Sequence, residues 1–370
     1  MFNPRRLTLA RHRRGLSKKA LSAAVGITSR AQTAYEAGEY PPADDVLARI
    51  AAFLDFPVAF FLGDDLEEPD PKGASFRSMK RMTAAQQHSA LAAGTLALEL
   101  SKWIDGKFRL PAPDLPDLSG ETPEAAAAIL RQEWGLGELS VRNMVHLLEV
   151  KGVRVFSLVE NTREIDAFSL WNEQKPFVFL NTIKSAVRSR FDAAHELAHL
   201  VLHSHGPVNG RDAEREADIF AASFLMPRST VLAVMPSAPT LTHIRNLKDK
   251  WLVSVAALAR RVYDIGIISE WHYRTLCIQI SERGWRTTEP GDAIPETSRV
   301  WEKVLSMLRQ EGVTKDQIAQ ELAIPPSEID KLVWGLVTMG LSSPGGPVYS
   351  SARRATGLTL HENYNLPVSK

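Results

Sequence analysis

Two histidines four residues apart in an apolar, helix-forming stretch constrain this chain most. His195, Glu196 and His199 form an H-E-x-x-H pattern within RFDAAHELAHLVLH. Positions i and i+4 lie on one face of an α-helix, so both imidazoles can point at one metal ion. Neutral imidazole suits zinc, and a catalytic zinc site uses three protein ligands. Glu196 follows the first ligand directly, where it can take a proton from a water molecule at the ion.

A third ligand is expected from the next predicted helix, which contains EREADIFAASFLMP. Glu214 follows His199 by fifteen residues, enough for a turn and an antiparallel return, and we predict it as the ligand, with Glu216 as the rival. Asp218 shares a helix face with Glu214, so it can accept a hydrogen bond from a ligating ring. Each four-residue step rotates the next histidine by about 40° around the helix, so His203 is expected to miss the metal. Zinc is the predicted ion, and manganese is the alternative.

Composition narrows the class of protein further. A chain of 370 residues predicts two or three domains. Its 44 Lys and Arg nearly balance 43 Asp and Glu, so net charge indicates no particular partner. The single cysteine, Cys277, excludes a disulfide framework and a Cys-rich zinc site and fits a reducing compartment. Since we find no apolar stretch long enough for a membrane span or a signal peptide, we expect a cytoplasmic protein.

The N-terminal segment GLSKKALSAAVGITSRAQTAYEAGEYPP has the layout of a helix-turn-helix. Ser17 is predicted to cap one helix, Gly26 to allow the turn, and Thr28 or Ser29 to cap the next helix, which ends at Gly38. Basic residues are dense in the first nineteen positions, which favours DNA binding. The alternative is a small helical bundle that dimerises and binds no DNA.

This segment resembles the lambda-repressor-like (XRE) DNA-binding domain over residues 4–62. The family pattern ends in Glu-x-Gly-x-x-x-Pro, here Glu36, Gly38 and Pro42. The resemblance implies that the second helix of the motif enters the major groove. The residues that it implies for base edges are Ser29, Arg30, Gln32 and Thr33. Those that it implies for phosphates are Arg5, Arg13, Lys18 and Lys19. Lys18 departs from the family pattern, which often has Gln there.

The rest of the chain predicts a mainly helical protein with a small β-sheet. We expect an α+β, zincin-like core between an N-terminal all-α domain and a C-terminal all-α region. Strands are predicted at 152–159 and 176–180 and at AFSLW, whose edge either pairs with an extended peptide or is an ordinary edge strand. Thr314 is predicted to cap a helix in a second helix-turn-helix-like layout that favours packing or partner binding over DNA binding. The predicted boundaries are a DNA-binding domain at 1–66, a linker and helical connector at 67–122, the zincin-like domain at 123–235, the helical C-terminal domain at 236–342 and a loose tail at 343–370.

Residues 150–230 resemble the ImmA/IrrE-type (DUF955) zinc metallopeptidases. The matching pieces are PFVFLN at 176–181, RSRFDAAHELAHLVLH at 188–203 and E-x-x-A-D-x-F-A-A-x-x-L-M-P at 214–227. The resemblance implies a small zincin fold and a cytoplasmic, site-specific endopeptidase. It also implies substrates that are helix-turn-helix repressors or antitoxins. Many members of the family carry an XRE domain on the same chain.

Together these features predict a DNA-binding regulatory zinc endopeptidase with Glu196 as general base and acid. It would cleave a repressor or antitoxin-type protein to control transcription in a stress or mobile-element response. A homodimer is expected from palindromic operators. One alternative is an XRE-type regulator whose zincin domain is a non-proteolytic sensor, although metal binding alone would not require Glu196. Another is a toxin–antitoxin or prophage module whose N-terminal domain binds a partner protein.

Overall fold

The computed structural model describes residues 1–70, 75–76, 83–158, 167–204, 210–291, 293–337 and 359–360. Most of the predicted tail at 343–370, and residues 71–74 and 77–82 of the predicted linker and connector, lie outside this described part. Within it the chain is mainly helical with a small mixed sheet, which confirms the predicted fold class.

The N-terminal helices are α1 (Pro4–Arg13), α2 (Lys18–Val25), α3 (Ser29–Ala37) and α4 (Asp44–Leu54). The helices of the middle of the chain are α5 (Ala84–Asp105), α6 (Pro123–Glu133), α7 (Met144–Val150), α8 (Ala186–Leu202), α9 (Arg211–Leu225) and α10 (Arg228–Val234). The C-terminal helices are α11 (Leu241–Leu247), α12 (Val255–Asp264), α13 (Glu270–Glu282), α14 (Arg299–Gln310), α15 (Lys315–Glu321) and α16 (Pro326–Val333). The strands are β1 (Ser75–Phe76), β2 (Phe108–Arg109), β3 (Arg154–Ser157), β4 (Ala167–Asn172), β5 (Lys175–Leu180) and β6 (Thr359–Leu360).

Helices α2 and α3 begin and end at the residues that the sequence predicts. The Ser17 hydroxyl accepts a hydrogen bond from the third residue of α2, and Thr28 does the same for α3. Gly26 and Gly38 follow these helices with φ angles of 74° and 73°, a left-handed backbone that glycine adopts without a steric penalty. The arrangement of α2 and α3 is that of a helix-turn-helix.

Four of the described strands form a sheet in the order β1, β4, β5, β3. Strand β3 is parallel to β5, and β4 is antiparallel to both β5 and β1. Strand β4 is the AFSLW segment, and it pairs with β1 through Phe168 and Ser169. The predicted edge strand is therefore an interior strand at these two positions, because β1 already occupies that side.

The two faces of β4 contact different helices, as the two-residue period of a strand requires. Phe168 stacks on Phe179 at 4.2 Å, and both rings approach Gly94 of α5. On the opposite face the Trp171 indole donates a hydrogen bond to the carbonyl of Leu200 in α8, at 3.1 Å. The sheet therefore packs between α5 and α8, and it fixes the position of α8.

The C-terminal helices pack at two separate places. Arg261 of α12 is buried and donates to the carbonyl of Met226 and to Glu124, so it ties α12 to α6 and to the end of α9. Trp301 of α14 instead covers the β3 edge of the sheet, where its indole donates to the carbonyl of Val155 at 2.9 Å. The predicted domain at 236–342 thus divides its contacts between two parts of the core.

Helix α16 also reaches the N-terminal domain through one buried carboxylate. Glu328 is fully buried and lies 2.6 Å from Arg13 and 2.5 Å from Arg14, both near the end of α1. Lys331 pairs with the same carboxylate at 2.8 Å. Burial alone would raise the pKa of Glu328, but these three cations outweigh it and lower the pKa to about 2. The N-terminal domain and α16 are therefore joined by an ion cluster, which we call the α16 clamp.

Among the described helices, no single one is long and apolar enough to cross a membrane. The consecutive helices α9 and α10 pass the same criteria of length and composition only as a pair, with a bend of 58° between them.

Candidate metal centre

Helices α8 and α9 pack against each other and carry the candidate ligands. Helix α8 begins after Ser185 and is buried along most of its length, since it lies between the sheet and α9. Its 3.6-residue period places His195 and His199 one turn apart on the face towards α9. Glu214 lies in the first turn of α9 and meets this face.

Three side chains converge at this point. The Nε2 atoms of His195 and His199 are 3.1 Å apart. The Glu214 carboxylate lies 3.4 Å from His195 Nε2 and 3.5 Å from His199 Nε2. The ligand atoms of all three residues lie within 4.8 Å of one another. The imidazole side chains are 0% and 1% exposed, whereas Glu214 is 27% exposed, so the cluster opens on the Glu214 side.

The protonation of these groups suits a divalent cation. Burial lowers the pKa of His199 to about 4, so this ring is neutral near pH 7 and has a lone pair to offer. Burial alone would raise the pKa of Glu214, but hydrogen bonds with the two nearby imidazoles lower it to about 2. Two imidazole nitrogens and one ionised carboxylate make a donor set that catalytic zinc sites use, so these residues fit a zinc ion.

Each histidine of α8 also has a partner away from the cluster. His195 Nδ1 lies 2.9 Å from Asp218 Oδ1, the contact that the sequence predicts for Asp218. His203 does not join the cluster, because its Nδ1 lies 3.1 Å from His199 Nδ1 and its Nε2 lies 2.9 Å from Glu216 Oε2. Glu216, the rival ligand, therefore contacts His203 rather than the three converging atoms.

Glu196 is fully buried and is held from the sheet side. The Ser169 hydroxyl on β4 donates a hydrogen bond to Glu196 Oε2 at 2.7 Å. Ser169 is not among the residues that the sequence predicts for the site. The signal available was a hydroxyl residue inside an apolar strand, AFSLW, on the strand face opposite Phe168.

The structure places the predicted DNA contacts in different surroundings. Ser29, Arg30 and Thr33 are exposed on α3, as is Lys19 on α2. Lys18 is partly exposed and lies 3.6 Å from Glu36.

Arg5, Gln32 and Arg13 have partners within the protein. The exposed Arg5 pairs with Asp65 at 3.0 Å. Gln32 is fully buried and donates to Glu36 at 2.7 Å, so it cannot reach a base edge from this position. Arg13 lies in the α16 clamp and cannot reach a phosphate. These positions correct the expectations for Gln32 and Arg13, because helix periodicity alone did not reveal which side of α1 and α3 the core would cover.

Comparison with known families agrees with this geometry. Residues 148–263 match the IrrE N-terminal-like domain of peptidase family M78, a range that includes α8 and α9. Residues 5–59 match a helix-turn-helix domain, a range that includes α2 and α3. No curated protein matches the chain. Residues 5–59 are therefore similar to a helix-turn-helix domain and residues 148–263 to an IrrE N-terminal-like domain, in the order that the sequence predicts.

Proposed function

We propose that the chain is a cytoplasmic, DNA-binding regulatory zinc endopeptidase. Its substrate would be a repressor or antitoxin-type protein, and its cleavage would control transcription in a stress or mobile-element response. The observation that carries the proposal is the convergence of His195, His199 and Glu214 within 4.8 Å, next to Glu196 in the sequence of α8.

The side chains of the site divide the chemistry between them. His195, His199 and Glu214 would hold the metal, and zinc supplies the Lewis acidity that makes water nucleophilic near neutral pH. Glu196 takes the proton of the attacking water and returns it to the amine of the leaving peptide. The Ser169 hydroxyl, bonded to Glu196 Oε2, keeps that carboxylate from rotating away. The exposed side of Glu214 is the direction in which the site is open.

The helix-turn-helix domain would bring this activity to an operator. Ser29, Arg30 and Thr33 share the exposed part of α3 and are available for base edges, with Lys18 and Lys19 for phosphates. A homodimer would match a palindromic operator. Binding of DNA is tested by a gel shift of the full chain with the region upstream of its gene. If no shift occurs, the N-terminal domain serves a protein partner instead.

The variant Glu196→Gln tests the peptidase, because it keeps the size of the side chain and removes the base. Cells expressing either the wild type or the variant are compared by sequencing the new N-termini of all proteins. We expect at least one helix-turn-helix protein to be cut only by the wild type, since loss of a general base typically costs about 10²–10⁴-fold in rate. Zinc content, measured on both purified proteins, should be equal.

If transcription is still regulated normally in cells that express Glu196→Gln, the proposal is contradicted. The chain would then be a metal-binding sensor that cleaves nothing. If Glu196→Gln contains less zinc than the wild type, a loss of cleavage could come from the missing metal. In that case Ser169→Ala, which leaves every candidate ligand in place and removes the hydrogen bond to Glu196, is tested instead.

A further inference from the structure

Helix α9 carries four acidic residues at two-residue spacing, and the last three of them contact different nitrogen atoms of α8. Glu214 faces the Nε2 atoms of His195 and His199. Asp218 lies at His195 Nδ1. Glu216 lies at His203 Nε2. The first two have a place in the proposed site, and the pair formed by His203 and Glu216 has none.

We propose that His203 and Glu216 are positioning residues of the metal centre. They hold the ring of His199 through its Nδ1 atom and fix which nitrogen of that ring carries the proton. We call the chain Glu216–His203–His199 the outer relay. The proposal rests on the proposed zinc site, because it assigns a role to the side of His199 that faces away from the metal.

Only one placement of protons satisfies every contact in the outer relay. A ligating Nε2 of His199 must present its lone pair, so the proton of the neutral ring is on Nδ1. That proton is donated to His203 Nδ1 at 3.1 Å. His203 then carries its own proton on Nε2 and donates it to Glu216 Oε2 at 2.9 Å. Since an ionised carboxylate can only accept hydrogen bonds, Glu216 determines the donor-to-acceptor direction of both hydrogen bonds in the outer relay.

The outer relay does for His199 what Asp218 does directly for His195. Asp218 lies at 2.9 Å from His195 Nδ1, so that ligand meets a carboxylate without an intermediary. His199 reaches a carboxylate of α9 only through the ring of His203, one helical turn further along α8. The exposed fraction of the side chains rises from 1% at His199 to 13% at His203 and 49% at Glu216. The buried ligand is thus anchored to an acid at the protein surface.

His203 is not a fourth ligand in this arrangement. Its Nδ1 contacts the outer nitrogen of His199, and its Nε2 contacts Glu216, so both ring nitrogens are engaged away from the three converging atoms. Partners of this kind orient the ligand and raise its basicity, and their loss typically lowers metal affinity by about 10–100-fold. The effect of removing His203 should therefore appear in zinc affinity, before any substrate is known.

The experiment measures zinc affinity of the metal-free full chain by competition with a chromophoric chelator. His203→Phe removes the acceptor for His199 Nδ1 and should lower the affinity by about 10–100-fold. His203→Asn places an amide oxygen near the position of Nδ1 and should recover much of that loss. Glu216→Ala should lower the affinity less than His203→Phe. The control Asp212→Ala removes an equal charge from an exposed position of α9 and should leave zinc affinity unchanged.

A double mutant separates the outer relay from two independent effects. Glu216→Ala should change zinc affinity in the wild type but not in His203→Phe, because Glu216 acts only through that ring. Equal effects in both backgrounds, or a normal affinity of His203→Phe, would overturn the proposal. Thermal unfolding of the metal-free proteins shows whether a variant has lost its fold, in which case His203→Asn and Glu216→Ala carry the test.

The same measurements distinguish a failure of the proposed function. If the wild type binds no zinc, or binds it as tightly when Glu214 is replaced by Gln, the zinc site itself is wrong and the outer relay falls with it. If the wild type binds zinc through Glu214 and His203→Phe changes nothing, only the outer relay is wrong.

Discussion

Glu214 and Glu328 are two carboxylates with the same low pKa of about 2 and opposite surroundings. Glu328 is fully buried and meets three cations, so its charge is neutralised within the protein. Glu214 is partly exposed and meets two imidazoles whose lone pairs converge with its own oxygens. A lowered pKa therefore does not by itself mark a functional site. The partners of the carboxylate decide. The cations around Glu328 neutralise its charge, whereas the imidazole nitrogens beside Glu214 can bind a metal cation together with it.

The largest effect on stability is expected at Glu328. Glu328→Ala leaves Arg13 and Arg14 without their buried partner, and breaking a buried ion pair typically costs about 3–5 kcal/mol of unfolding free energy. Denaturant unfolding of the full chain measures the loss, and zinc affinity should not change.

Asp330→Ala is the matched control for this prediction. Asp330 is also on α16 and pairs with Lys315, but its side chain is 45% exposed. Exposed pairs typically contribute about 0–1 kcal/mol, so this variant should unfold nearly as the wild type does. If the two variants lose the same stability, the α16 clamp is no more than a surface contact.

The second prediction concerns the stabilisation that zinc adds. Zinc at about 100 times its dissociation constant should raise the unfolding free energy by about 2.7 kcal/mol, because only the folded chain assembles the site. Glu214→Gln should lose this increment. Glu328→Ala should keep it, although its unfolding free energy without zinc is lower than that of the wild type. Thermal unfolding with zinc and with a chelator measures both. An equal zinc effect in Glu214→Gln would place the metal elsewhere.

The third prediction is the pH dependence of the α16 clamp. The folded pKa of Glu328, about 2, lies below its ordinary value of 4.5, so its stabilisation is complete above pH 4.5 and is lost as pH falls towards 2. The stability difference between the wild type and Glu328→Gln should be constant from pH 7 to 5. It should shrink by on the order of 2 kcal/mol by pH 3. A difference that grows in acid would contradict the sign of this pKa shift.

The convergence of the candidate ligands could be predicted from sequence because it follows mostly from the periodicity of two helices. His195 and His199 are one turn apart, and Glu214 and Asp218 are one turn apart on the next helix, so two periodic segments specify their relative directions. The helix ends at Ser17, Gly26, Thr28 and Gly38 were predictable for a related reason, since caps depend on local backbone chemistry.

Ser169 and Glu328 could not be placed in the same way. Ser169 reaches Glu196 only because β4 packs on α8, and Glu328 reaches α1 across more than 300 residues of sequence. Nothing in the local pattern of α1 shows that Arg13 faces α16 rather than solvent. Such contacts arise from tertiary packing, which a one-dimensional period does not encode.

The α16 clamp has a consequence for how the two activities would combine. A peptidase on a flexible tether searches a volume around its anchoring point, and the length of the linker sets the local concentration of its targets. Here Arg13 and Arg14, at the end of α1, form ion pairs with Glu328 of α16. Helix α16 packs on the same sheet as α8. The candidate metal site and the helix-turn-helix would then move together, and the orientation of the chain on its operator would determine which neighbouring proteins can reach the site.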